Sequence, residues 1–190
     1  MDIKKYKQAL LQELYAPYLD CKQCPLGFLG RKQIVFGEGS PNAKLMFVGE
    51  GPGQKEDELA RPFVGRSGQL LTRALEAVGL NRKETYITNV VKCRPPNNRK
   101  PLPKEVDTCS HLFLFNQIKI IRPRVICTLG SSAIQVFLGN DVKITKIRGK
   151  TFKKDGYLII PTYHPAYVLR NNSELENFIS DISSAFSQTK

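Results

Sequence analysis

Four short apolar runs constrain this chain more than any other feature: KLMFV (44–48), TYITNVV (85–91), RVICTLG (124–130) and YLIIPT (157–162). Between and around them lie segments with helical character, at 4–15, 68–78 closed by Gly79, 103–121 closed by Arg122-Pro123, 131–138 and 173–186. A further short strand is expected near 34–36. Apolar strands alternating with helices predict an α/β fold with a parallel sheet covered on both faces and right-handed crossovers. In such a sheet the functional groups belong at the carboxyl ends of the strands.

With 190 residues, the chain is read as a single domain, and a hydrophobic content of 41% argues against disorder. No apolar run approaches the roughly 20 residues of a membrane span. The N-terminal stretch carries Tyr6, Leu10 and Leu14 at helical spacing and lacks the apolar core of a signal peptide. An intracellular, cytoplasmic protein with no membrane association is expected. Lys and Arg number 29 against 17 Asp and Glu, a net charge of +12. That excess points to a polyanionic partner, nucleic acid ahead of an acidic membrane.

Five cysteines in an intracellular chain are a poor disulfide framework. Four of them form a pattern, Cys21-x2-Cys24 and then Cys93-x15-Cys109, the second pair bracketing the Pro-rich stretch KCRPPNNRKPLPKEVDTC. Four thiolates suit zinc or an iron–sulfur cluster, and one wide pair favours the cluster over zinc. Cys127, inside RVICTLG, is read as core.

Three polar features fall where an α/β sheet would use them. GEGPG (49–53) follows the first long strand, Asn89 lies near the end of the second, and His164 follows the last, in PTYHPAYVLRN. Each alone has an ordinary reading. The glycine turn lacks the Lys-Ser/Thr of a P-loop and the spacing of GxGxxG. Asn89 can cap a strand, and a single histidine is more often structural. Their convergence at strand ends is harder to explain as packing.

VGEGPGQKEDELARPFVGRSGQLL, TNVVKCRPPNNRKP and HPAYVL, together with the four spaced cysteines, closely resemble the iron–sulfur uracil-DNA glycosylases, the type 4 class of thermophilic bacteria and archaea. The resemblance runs in order from Cys21 to Arg170. It implies a three-layer α/β/α sandwich with a central four-stranded parallel sheet. It implies a [4Fe-4S] cluster on Cys21, Cys24, Cys93 and Cys109, and hydrolysis of the N-glycosidic bond of deoxyuridine in single- or double-stranded DNA. The products would be free uracil and an abasic site.

Carried over by position, Glu50 and the backbone at Gly51 match the motif that meets the sugar and the attacking water. Phe63 matches the aromatic that stacks on uracil, Asn89 the amide that reads its Watson–Crick edge, and His164 the group at O2. Glu56 matches an acid near the pocket. Other uracil-DNA glycosylases place a water-positioning aspartate where this chain has Gly51, so either Glu50 or backbone carbonyls must hold the water here. Basic residues have two homes: Lys92, Arg94, Arg99, Lys100 and Lys104 in the Pro-rich loop, and Lys143, Lys146, Arg148, Lys150, Lys153 and Lys154 further on. The first group is expected to meet DNA phosphates. After His164, Tyr167 or Leu169 is placed as a duplex wedge, in competition with a plain helix start. The chain is expected to act as a monomer. The rival readings are a non-enzymatic iron–sulfur or zinc nucleic-acid-binding module and an electron-transfer protein; neither accounts for Glu50, Phe63, Asn89 and His164.

Overall fold

The structure, a computed structural model, describes residues 2–190. In chain order its elements are α1 (Ile3–Tyr15), β1 (Glu38–Gly39), β2 (Leu45–Gly49), α2 (Gln54–Leu59), α3 (Arg66–Ala77), β3 (Tyr86–Asn89), α4 (Pro103–Cys109), α5 (Phe115–Ile121), β4 (Val125–Leu129), α6 (Ser131–Leu138), α7 (Ile144–Ile147), β5 (Phe152–Lys154), β6 (Tyr157–Thr162), α8 (Pro165–Val168) and α9 (Leu175–Ser187).

The sheet has six strands in the order β1-β3-β2-β4-β6-β5. Its four central strands are parallel, which matches the expected core, and short antiparallel strands close both edges. Every residue of β2, β3 and β4 is buried, as a strand covered on both faces must be. Met46, Val48 and Ile126 point toward Leu11 of α1, Ile118 and Ile121 of α5, and Ile134 and Phe137 of α6. Leu45, Phe47, Val125 and Cys127 point the other way, toward Leu71 and Leu75 of α3 and Phe178 and Ile182 of α9. Two cores on opposite faces of one sheet make the three layers. Among the described residues, no helix is long and apolar enough to cross a membrane.

The expected strand at 34–36 does not form. Ile34 and Val35 are buried against the core, and Val35 N–H bonds the Lys92 carbonyl (2.8 Å), but the ladder with β3 begins only at Glu38. Hydrophobic burial accounts for that apolar run without sheet pairing. The helix expected over 103–121 is one helical run interrupted by a π turn at Ser110–Leu114, directly after Cys109.

Candidate active site

A cavity of about 730 Å³ opens at the carboxyl ends of the parallel strands. Its lining includes Glu50 and Gly51 after β2, Asn89 at the end of β3, Ser131 and Ser132 after β4, and His164 after β6. Phe63 and Glu56 line it from the α2–α3 side. All the residues expected at the chemistry therefore share one cavity.

The inner wall is built by two adjacent strands. Gly49 of β2 sits in register with Asn89 of β3. A Cβ at Gly49 would come within 2.4 Å of the Phe63 ring and 2.5 Å of Asn89 Oδ1. Only glycine lets ring and amide meet over the strand. Asn89 is 1% exposed, and its Oδ1 finds no hydrogen-bond partner among the described residues. An unpaired buried carbonyl costs roughly 1–3 kcal/mol, and this one stands in the cavity wall.

Phe63 itself has φ of 51°, a left-handed conformation unusual for a bulky residue and worth roughly 1–3 kcal/mol of strain. Gly68, in the first turn of α3, allows it. A Cβ there would stand 1.8 Å from the Phe63 carbonyl oxygen. The Phe63 ring faces His164 at 5.9 Å between centroids, tilted 39°.

His164 is the N-cap of α8, and its Nδ1 accepts from the Ala166 amide (3.1 Å). That bond leaves the ring proton on Nε2, so the imidazole presents a donor. Burial and, secondarily, the nearby Arg170 charge push its pKa down to about 4, against a partial upward pull from Glu56. The ring is neutral at physiological pH.

The family profile described as Uracil DNA glycosylase superfamily matches residues 36–186. Over 174 residues, 90% of each chain, the sequence is 51% identical to the type-4 uracil-DNA glycosylase of Thermotoga maritima. It is 40% identical to that of Archaeoglobus fulgidus over 90% of this chain and 89% of the relative. The chain belongs to the uracil-DNA glycosylase superfamily, in its type-4 branch. A type-5 uracil-DNA glycosylase of Pyrobaculum aerophilum stands further off, at 32% identity over 72% of this chain and 67% of the relative.

In this uracil-DNA glycosylase fold the two acids differ. Glu50 Oε2 accepts from the Ser132 hydroxyl at the start of α6, a partner that the sequence reading missed. Glu56 turns instead to the backbone, its Oε1 accepting from Val64 N–H (2.9 Å) and Gly65 N–H (2.8 Å). Its visible work is to hold the turn that carries Phe63.

The basic loop after β3 needs a correction. Lys92 is fully buried and cannot meet phosphate. Its Nζ donates to Thr88 Oγ1 (2.5 Å), the Asn89 carbonyl (2.7 Å) and Gln117 Oε1 (2.8 Å), and burial lowers its pKa to about 7. Arg99 is committed in part as well, forming a bidentate pair with the buried Glu105 (2.8 and 2.9 Å). Arg94 is bound to Asn98 Oδ1 (2.8 Å) and Lys100 is exposed. In the second basic stretch, Arg148 pairs with buried Asp181 (2.6 Å) and lies over the Tyr163 ring. Arg66 and Arg170, both exposed, stand at the cavity mouth. They escaped notice because each lies outside a basic run. Tyr167 and Leu169 are both 37% exposed, but only Tyr167 lines the cavity.

Cys21 and Cys24 pack against the core that contains Cys93 and Cys109. The thiols lie close enough to perturb one another. Cys109 feels Cys93 and Cys24, and Cys93 feels Cys24 and Cys21. Burial first, with the neighbouring sulfurs, pushes Cys93 up to about 11 and Cys109 up to about 12. Donors nevertheless point at the sulfurs: Arg31 Nε at Cys93 Sγ (3.1 Å) and Lys92 N–H at Cys109 Sγ (3.3 Å). Such donors suit metal-bound thiolates. Among the described residues no three His, Cys, Asp or Glu side chains gather closely enough to hold a single metal ion. Four thiols beside such donors are the residues that would hold a thiolate-bound metal group. Cys127 is buried in β4, as expected.

Proposed function

We propose that the chain excises uracil from DNA, hydrolysing the N-glycosidic bond of a flipped deoxyuridine and leaving an abasic site. The unpartnered, buried Asn89 Oδ1 carries the reading. It faces a cavity flanked by an aromatic ring and a neutral histidine, and uracil N3–H is the donor it lacks.

Flipping costs a few kcal/mol. Stacking on Phe63 offsets part of this, at roughly 1–3 kcal/mol per base. Asn89 accepts from N3–H while its amide nitrogen donates to O4. His164 Nε2–H donates to O2, where negative charge grows as the bond to the sugar breaks. A neutral donor suits this task, since uracil leaves as an anion and needs no prior protonation. The sugar becomes oxocarbenium-like. Glu50, oriented by Ser132, faces that cation and, with the backbone at Gly51, holds the water that captures it. Arg94, Lys100 and the exposed part of Arg99 meet phosphates, joined by Arg66 and Arg170 at the mouth. Tyr167 fills the space the base has left, with Leu169 beside it. Cys21, Cys24, Cys93 and Cys109 hold a [4Fe-4S] cluster, which ties the N-terminal loop to the loop after β3 and supplies no reacting atom. The chain is proposed to act as a monomer. A DNA substrate supports a location inside the cell.

The deciding experiment is cleavage of a uracil-containing oligonucleotide, single- and double-stranded, with alkaline scission of abasic sites read on a gel. A product band at the uracil position is expected from both. Absence of product from both forms would sink the enzymatic reading and leave a nucleic-acid-binding module.

A further inference from the structure

Phe63 holds a strained backbone conformation in the middle of a loop, so something must hold it there. Two groups do so from opposite sides. Glu56 grips the amides that follow Phe63, at Val64 and Gly65. Arg82 grips the carbonyls at and before it. One terminal nitrogen donates to the Phe63 carbonyl (3.0 Å) and the other to the Pro62 carbonyl (2.6 Å). The same guanidinium reaches Thr72 Oγ1 of α3 (3.1 Å) and Glu38 Oε1 of β1 (3.0 Å). Glu38 is held in turn by Arg61 Nε (2.7 Å). Arg82 is only 17% exposed at its side chain, and it lies in the turn leading into β3, the strand that ends in Asn89.

We infer that Arg82 is a positioning residue for base recognition, fixing the height and tilt of the Phe63 ring relative to Asn89. It touches no substrate. Its fork joins the stacking residue to the strand that carries the amide, so the two surfaces that would meet uracil move as one body. An ordinary surface ion pair would contribute little, and its loss would not single out one ligand. Four contacts from a planar fork, two of them on successive carbonyls at a strained residue, have a specific consequence. Without them Phe63 spends part of its time outside the stacking position, and affinity for the base falls by the lost fraction.

The inference rests on the reading that Phe63 stacks on uracil, and the test separates the two. Inhibition by free uracil and binding to duplex DNA with a stable abasic-site analogue are measured for the whole protein and for Phe63→Ala, Arg82→Gln, Arg82→Lys and the Phe63→Ala/Arg82→Gln double variant. Arg82→Gln should weaken uracil inhibition on the order of tenfold while abasic-site affinity stays unchanged. Arg82→Lys, which keeps the charge and loses the fork, should behave alike. In the double variant the Arg82 change should add nothing to Phe63→Ala. Uracil inhibition unchanged by Arg82→Gln, or losses that add in the double variant, would overturn the inference. Should Arg82→Gln fail to fold, Glu38→Gln removes the orienting acid and leaves the fork in place. It should weaken uracil inhibition in the Phe63 background alone, and equal effects in both backgrounds would overturn the inference. Wild-type uracil inhibition in Phe63→Ala would be a different failure, that of the stacking reading itself.

Discussion

Asn89 carries a carbonyl oxygen that the folded chain leaves unsatisfied, and base choice follows from it. Uracil presents a donor at N3 and an acceptor at O4, whereas cytosine presents the reverse. No side-chain hydrogen bond among the described residues fixes the amide, so choice of uracil over cytosine requires that the packing of the Phe63 ring and the Gly49 backbone keep its oxygen toward N3. Asn89→Asp removes the donor to O4 and adds an acceptor for the cytosine amino group. The variant should lose most uracil excision and gain weak cytosine excision, measured as single-turnover release from mispaired U and C strands. Near-wild-type preference for uracil would return Asn89 to a strand-end cap. His164 gives a pH prediction. With its folded pKa lowered to about 4, the imidazole stays neutral while the unfolded chain takes up a proton near pH 6.5. Its contribution to stability is thus present above pH 6.5 and is lost as pH falls toward 4. Single-turnover cleavage should show no His164-dependent inflection between pH 6 and 8, and His164→Ala should slow it roughly a hundred- to a thousandfold. An inflection near pH 6.5 that vanishes in the variant would contradict a neutral donor. Asn89, Phe63 and His164 were legible in the sequence because each stands in a distinctive motif at a strand end or helix start. Arg82 and Ser132 were not, because an arginine among 29 basic residues and a serine at a helix start look ordinary. Lys92 was misread because its acceptors come from Thr88, Asn89 and Gln117, and sequence spacing does not reveal that Gln117 returns to the same spot.

At the level of elements, the four spaced cysteines come from parts that the sheet leaves apart. Cys21 and Cys24 lie in the loop after α1, Cys93 in the loop after β3, and Cys109 at the end of α4. Freshly purified protein should be yellow-brown, with iron and acid-labile sulfide in near-equal amounts; stoichiometric zinc without sulfide would refute the cluster. Because none of these cysteines lines the active-site cavity, Cys93→Ala should lose folding or DNA binding together with activity, as followed by circular dichroism and abasic-site binding. A well-folded, fully active variant without iron would show that the centre does not hold the fold. The long elements were readable from apolar periodicity, and α6 and β6 match their expected bounds. α2 was missed because QKEDEL has no apolar stripe. It is anchored by a buried carboxylate instead, Asp57 accepting from the amides of Lys32 (2.9 Å) and Gln33 (3.2 Å). The π turn was missed because one extra residue in a helical turn barely alters the spacing of apolar positions.

Over the whole molecule, the charge excess is spread over residues of unlike duty. Lys92, Arg82 and Arg148 work inside or against the fold, while Lys100, Arg66 and Arg170 are free to meet a polyanion. Net charge therefore pointed to the right partner while saying little about the interface. The two edge strands have a consequence of their own. A bare parallel core would offer the flanks of β3 and β6 as open ladders. Here β1 is two residues long, and β5 is three, two of them lysines. Short, charged margins give a neighbouring chain almost nothing to pair with. Two copies brought side by side on one duplex would find little backbone to join through, so the sheet margins favour their parting again.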